Sequence, residues 1–557
     1  MRLSAALLVL SAALSAQPKS PARFEISWPK PLDGRVLLIV STRATPEPRY
    51  AVREELDTQQ IFGADVDAVR TAVIDGSTLG YPRDSLAQIP AGDYTVQAVL
   101  NIYDTFHRSD GRTLKLPMDR GEGQQWNSKP GNLYSVPTRI HFDPASAAIV
   151  RLELTKTIPA IQPPADTKFI KHIRIESKRL TAFWGRPMYL GAIVLLPDGF
   201  DDHPDAHYPT LYYQDHFQET FRAFHSEART GGENGDGRGS IDYAYKLYRD
   251  WTSGRLPRML IVIAQDANPY YDDSYAVNSA NVGPYGDALT QELYPYVEKR
   301  FRGIGEPWAR TVYGGSTGGW RALALQVFYP GFFNGAWVFC PDPIDFNAYA
   351  MVNLYKDDNA FFARSLWKHV PVPMMRETNG TIASDMDDAL RFELVLGTHG
   401  RSAEQFDIWQ AVYSPVGGDG YPALIIDPRT GAIDHQVAAY WKEHYDLDYI
   451  MQRDWKTIGP KLTGKLHFAV GELDTYYLER AVHLTQQFLD STREAGKGPY
   501  ADASFDFGSG RPHGYTGDIS LPAPVANGTL HQRIMAVMLE HMLKTAPAGA
   551  DTKSWRY

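Results

Sequence analysis

Residues 311–328 read TVYGGSTGGWRALALQVF. The opening residues, Thr311 to Tyr313, favour a strand. Residues 320–328 space Ala, Leu and Val as a helix does, up to a stop at Pro330 and Gly331. Between them stands Gly314-Gly315-Ser316-Thr317-Gly318, the pattern G-x-S-x-G. A strand that turns sharply into a helix at this pentapeptide lifts the Ser316 hydroxyl out of the backbone, and glycines on either side let neighbouring elements come close. The turn also aims the amino end of the helix at the serine. The Thr317 amide is therefore the expected donor to an oxyanion.

Working outward, strand-length apolar runs precede the pentapeptide at 192–196 (AIVLL), 210–213 (TLYY) and 259–264 (MLIVIA). A helix is expected over 287–301, with Leu289, Leu293, Val297 and Phe301 on one face. Strands resume at 335–339, 465–470 (KLHFAV) and 503–507 (ASFDF), and a last helix at about 530–543. Strands alternating with helices predict a mostly parallel sheet covered on both faces, an α/β-hydrolase fold over 168–545. Residues 342–459 lose this regular alternation and are expected to form an inserted cap. Upstream, 35–41 (RVLLIVS), 93–102 (DYTVQAVLNI) and 149–154 (IVRLEL) predict a β-sandwich-like N-terminal domain over 17–160, joined by the proline-rich 158–166 (IPAIQPPAD).

The chain has 557 residues, 43% hydrophobic and 22% charged, with a net charge of −9 and no basic run, which excludes the electrostatic footprint of nucleic-acid binding. Residues 1–16, with an apolar run from Leu3 to Leu14, read as a secretory signal peptide, so a secreted or periplasmic protein is expected. No later run reaches the roughly 20 apolar residues of a membrane-spanning helix, and no membrane insertion is expected. Cys340 is the single cysteine, which leaves no internal disulfide and no cysteine cluster for zinc. His203, Asp205 and His207 lie in a proline-containing loop and read as solvated surface. The glycine-rich 231–239 lacks the lysine of a phosphate-binding loop. No metal and no cofactor are expected.

A serine hydroxyl needs a base, and the base needs an orienting carboxylate. Asp474 lies in the turn beyond the 465–470 strand, and His513 in the loop after the 503–507 strand. The order Ser316, Asp474, His513 is that of α/β hydrolases. Glu472, Asp342 and Asp345 remain alternative acids, and His531 the alternative base. Four stretches then resemble the esterase family that includes enterochelin esterases, esterase D, feruloyl esterase domains and mycobacterial mycolyltransferases. They are Tyr208-Pro209-Thr210-Leu211-Tyr212, the stretch 274–302, Gly314 to Gly319, and Arg511-Pro512-His513. The resemblance spans about 182–543 and implies Ser316 as nucleophile, His513 as base and Asp474 as acid. It departs where the family has His-Gly after its strand and this chain has Asp215-His216, which puts the second oxyanion amide at Phe217. The expectation is a hydrolase that cleaves a small-molecule or sugar-linked carboxylic ester through an acyl-enzyme. An acyltransferase, a peptidase, or a non-catalytic binding protein with an altered oxyanion loop remain alternatives. Trp409, Tyr413, Tyr421 and Trp441 in the cap are candidates to receive a sugar or phenolic ring, or else are core.

Overall fold

A computed structural model describes residues 21–55, 57–230, 241–494 and 496–557. The expected signal peptide at 1–16 and the glycine-rich stretch at 231–239 lie outside the described residues. The larger, C-terminal part of the chain is built on an eight-stranded sheet: β1 (Ile170–Glu176), β2 (Tyr189–Leu195), β3 (Thr210–Gln214), β4 (Leu260–Gln265), β5 (Arg310–Gly315), β6 (Ala336–Phe339), β7 (Leu466–Gly471) and β8 (Ser504–Gly508). Its spatial order is β1-β2-β4-β3-β5-β6-β7-β8. The β1/β2 and β2/β4 pairs are antiparallel, and every pair from β4/β3 to β7/β8 is parallel. This is an α/β-hydrolase-like sheet, with the strand order reversing around β3 and β4, and loops at the carboxyl ends of β3, β5, β6, β7 and β8 converge on one site. The central strands read as continuous apolar runs because both faces are covered: Leu260 to Ile263 and Val312 to Tyr313 are essentially fully buried.

Sequence periodicity missed β1, whose IKHIRIE alternates and lies mostly half-exposed at the sheet edge. The helix expected over 287–301 is divided. Tyr285–Ala288 and Tyr294–Phe301 are α-helical, and a π-helical turn at Leu289–Leu293 joins them, with Pro295 at the start of the second piece.

Upstream of residue 158, the strands gather into one eight-stranded sheet, with Asp104–His107 and Thr113–Leu116 as a separate two-stranded pair. The reason is the strand Arg23–Ser41, which serves two sets of partners. Its first half lies parallel to Ile149–Glu153, its second half pairs with Gly92–Ile102, and Gln60–Ile74 runs along both across register shifts between Ser27 and Gly34. Its alternate residues face two cores. Val36, Leu38 and Val40 join Phe24, Phe62 and Phe142 inside the N-terminal domain. Leu37 and Ile39 instead pack with Ile61, Val99 and Trp126 on Phe392, Val395 and Leu396 of the helix α1 (Met386–Leu396).

The 342–459 excursion is not a separate layer. Its helix Leu447–Leu462 packs on the helix that follows Ser316, and its apolar residues run into the same core as the sheet. Trp409, Tyr413 and Trp441 are 7%, 1% and 0% exposed, so they are core. Tyr421 is partly buried and its hydroxyl accepts from the Lys115 amide. Among the described residues no helix is long and apolar enough to cross a membrane.

Candidate active site

Ser316 sits between β5 and the helix α2 (Thr317–Phe328) with φ 57° and ψ −126°, a conformation that a side-chain-bearing residue holds only when its surroundings enforce it. They do. The Ser316 amide donates to Phe339 O at 3.0 Å, and its carbonyl accepts from Gly319, Trp320 and Asp342 amides. A Cβ on Gly318 would collide with the Gln214 carbonyl at the end of β3, which explains the second glycine of the pentapeptide. The Thr317 amide opens α2 and, among the described residues, makes no hydrogen bond inside the chain.

The histidine and the acid come together from two other strand ends. His513 Nδ1 lies 2.8 Å from Asp474 Oδ2, and Asp474 is fully buried. The loop carrying His513 is tied to the turn carrying Asp474 by Leu473 N donating to Arg511 O at 3.0 Å. The second carboxylate oxygen, Asp474 Oδ1, accepts from Tyr476 N at 2.9 Å, and the Tyr476 ring stands edge-on to the imidazole at 5.0 Å. Arg376 Nε donates to the Asp474 carbonyl at 3.0 Å and its Nη2 pairs with Glu479 at 2.7 Å, fixing the turn from the excursion side. Burial works against a charged His513, yet Cys340 and Asp474 beside it hold its pKa well above the ordinary imidazole value.

The rival residues are engaged elsewhere. Glu472 meets His483 at 3.2 Å, Asp345 caps a short helical turn at Asn347, and His531 is buried with Nδ1 2.7 Å from the Tyr313 hydroxyl. Burial lowers the His531 pKa to about 3, so it is neutral. Asp342 is not free surface. Its Oδ1 accepts from Ser316 Oγ at 3.5 Å, and its Oδ2 from Tyr275 OH at 2.7 Å and Thr317 Oγ1 at 2.9 Å. Gln405 donates to Tyr275 OH, and Trp409 Nε1 donates to the same hydroxyl at 2.7 Å. Burial raises the Asp342 carboxyl above its usual range against these hydrogen bonds. Sequence reasoning missed Tyr275 and Gln405. Tyr275 and Ala276 both carry positive φ, a backbone signal that the residue types alone do not give away.

The loop after β3 carries Asp215, His216 and Phe217. The His216 amide donates to Asp215 Oδ1 at 2.9 Å, whereas the Phe217 amide, among the described residues, bonds to nothing in the chain. The Phe217 ring packs against Gly123 of the N-terminal domain. His216 Nδ1 lies 3.3 Å from Asp272 Oδ1 and 3.7 Å from Asp273 Oδ2. His203, Asp205 and His207 do not converge. The His203 ring stacks on Tyr557 at 3.4 Å, and among the described residues the groups placed to share an ion are Cys340/Asp474/His513 and His216/Asp272/Asp273.

Residues 187–389 match a family model described as "Putative esterase". The match spans the Ser316 turn and the strands on either side of it. No curated protein matches the chain. Among solved structures, the chain is similar to a ferulic acid esterase at 14% identity, over 67% of this chain and 98% of that one, with a TM-score of 0.37. It is similar to an S-formylglutathione hydrolase from Agrobacterium tumefaciens at 12% identity, over 68% and 97%, with a TM-score of 0.31. It is also similar to a fluorophosphonate-binding serine hydrolase of Staphylococcus aureus at 15% identity, over 66% and 97%, with a TM-score of 0.31.

Proposed function

We propose that the chain is a serine esterase in which Ser316 attacks the ester carbonyl, His513 takes its proton and Asp474 orients and stabilises the imidazolium. The observation that carries the reading is the 2.8 Å His513–Asp474 pair, its carboxylate fully buried, beside a serine held at positive φ on an esterase-family strand–helix turn. In the resting structure the Ser316 hydroxyl leans on Asp342 at the long distance of 3.5 Å. Hydrogen bonds between nucleophile and base commonly tighten only when substrate is bound, so a weak alternative partner is compatible with transfer to His513. As the tetrahedral intermediate forms, the Thr317 and Phe217 amides, both without partners in the chain, donate to its oxyanion. His513 then returns the proton to the departing alkoxide. A second cycle with water as nucleophile releases the acid and restores Ser316. The chemistry draws on protein groups alone. Export of this esterase rests on the apolar run from Leu3 to Leu14.

The test is hydrolysis of p-nitrophenyl acetate and butyrate by wild type and Ser316→Ala, with fluorophosphonate labelling of both. Hydrolysis and labelling that vanish together in a folded variant support the reading. A folded wild type that neither hydrolyses nor labels overturns it.

A further inference from the structure

Beside the elbow, three side chains converge that the proposed ester chemistry does not use. His216 follows Asp215, whose amide would lie 3.3 Å from a Cβ placed on Gly318. Asp272 and Asp273 come from the loop after β4. His216 Nδ1, Asp272 and Asp273 each offer one ligand atom within 4.8 Å of the others. His216 Nδ1 stands 3.3 Å from one carboxylate and 3.7 Å from the other. Two ligand atoms bound to one ion at bond lengths of about 2.0–2.2 Å stand about 3.0–3.6 Å apart, close to both of these separations.

The second observation is Asp273 itself. Its side chain is 1% exposed, and its Oδ1 accepts from Tyr275 N at 2.8 Å. Its Oδ2 points into the group and has no hydrogen-bond partner. A buried carboxylate oxygen left unbonded is unfavourable unless a ligand or counter-charge meets it. The nearby guanidinium does not do so. Arg321 Nη2 is taken by both oxygens of Asp266, at 2.7 and 2.9 Å, and Nη1 by Asp215 O at 2.8 Å. It reaches Asp273 only through Oδ1, at 3.7 Å. Arg321 is thus matched by Asp266, and His216 Nδ1, Asp272 Oδ1 and Asp273 Oδ2 face one another.

We propose that His216, Asp272 and Asp273 form a site for one divalent first-row cation, Zn²⁺ or Mn²⁺, beside the nucleophile. One imidazole nitrogen and two carboxylates suit these ions better than Mg²⁺, which favours all-oxygen shells. Three protein ligands leave coordination open, and the His216 side chain is 42% exposed, so a substrate carboxylate or hydroxyl oxygen can complete the shell. The inference does not rest on the esterase reading, because cation binding is read directly.

The full chain, stripped with EDTA and dialysed, is titrated with ZnCl₂ and MnCl₂ by calorimetry, and retained metal is counted by mass spectrometry. The expected result is one cation per chain. Binding should weaken at least 100-fold in Asp272→Ala and in Asp273→Asn, and persist in Ser316→Ala and His513→Ala. Circular dichroism checks each variant, and Asp272, 14% exposed, keeps the test decisive if the buried Asp273 variant does not fold. No binding by wild type overturns the proposal. So does binding that survives Asp272→Ala, or binding lost in His513→Ala, which would place the ion among Cys340, Asp474 and His513.

Discussion

Replacing Asp474 with Asn tests the catalytic assignment through two effects that the geometry separates. The first is electrostatic. The pair closes to 2.8 Å, which puts the carboxylate and imidazolium charges about 4 Å apart, and at an effective dielectric of about 20 such a pair is worth about 4 kcal/mol. At 1.36 kcal/mol per decade this is about 10³-fold in rate. The second is tautomeric. Tyr476 N donates to Asp474 Oδ1, so an asparagine keeps its oxygen there and turns its amide nitrogen toward His513 Nδ1. That arrangement makes Nδ1 the acceptor, moves the imidazole proton to Nε2 and removes the lone pair that should take the proton of Ser316. Together they predict a fall in kcat/KM of about 10³ to 10⁴, measured with p-nitrophenyl acetate at constant pH and protein fold. The pH profile supplies a second readout. A base works only when neutral, and His513 is held above the usual imidazole value in part by Asp474. The acid limb of the wild-type profile therefore lies above pH 6.5, and in the variant it moves to lower pH as the remaining activity falls. A folded Asp474→Asn that loses less than tenfold, or whose acid limb stays in place, refutes the assignment.

Three further outcomes follow from the same geometry. Gly318→Ala drives a methyl group into the Gln214 carbonyl, and should cost about 1–3 kcal/mol in urea unfolding while displacing Ser316 enough to abolish fluorophosphonate labelling; unchanged labelling would contradict the tight elbow. Arg321→Met leaves Asp266 buried without its bidentate partner and should cost about 3–5 kcal/mol, part of it recovered by adding Asp266→Asn; a double variant no more stable than the single one would refute the pairing. His531 is neutral in the folded state down to about pH 3 but titrates near 6.5 when unfolded, so its contribution is full above pH 6.5 and is lost as pH falls toward 3, at up to about 1.4 kcal/mol per pH unit. The stability gap between wild type and His531→Gln should therefore narrow between pH 6.5 and 4.5, and a constant gap would show that His531 is not the acid-labile group.

What the sequence disclosed and what it withheld divide along one physical line. The elbow was legible because a strand, a glycine-flanked serine and a helix are contiguous, and local sterics alone dictate the turn. His513 and Asp474, 39 residues apart, could be named because each follows a strand-like run. The 3.3 Å approach of His216 to Asp272 bridges 56 residues and two strand ends, and nothing in either local stretch encodes it. The Tyr275–Asp342 bond, 67 residues apart, is similar. The edge strand β1 escaped because its alternating IKHIRIE lacks the continuous apolar run of a central strand. In the N-terminal domain the strand runs predict strands, whereas the sharing of Arg23–Ser41 between partner sets is decided by its bulges.

The two-faced N-terminal strand also governs how the site can open. Leu37 and Ile39 share a core with Phe392, Val395 and Leu396. Arg35, 4% exposed, donates to the Val395 carbonyl at 3.0 and 2.8 Å and to the Leu394 carbonyl at 2.9 Å, capping the carboxyl end of α1. To swing the excursion away as a hinged door would peel apart this dry seam and strand those carbonyls. The helix Met386–Leu396 is therefore riveted to the N-terminal sheet and does not serve as a door: turnover should begin without a lag on soluble esters and gain nothing from an oil–water boundary.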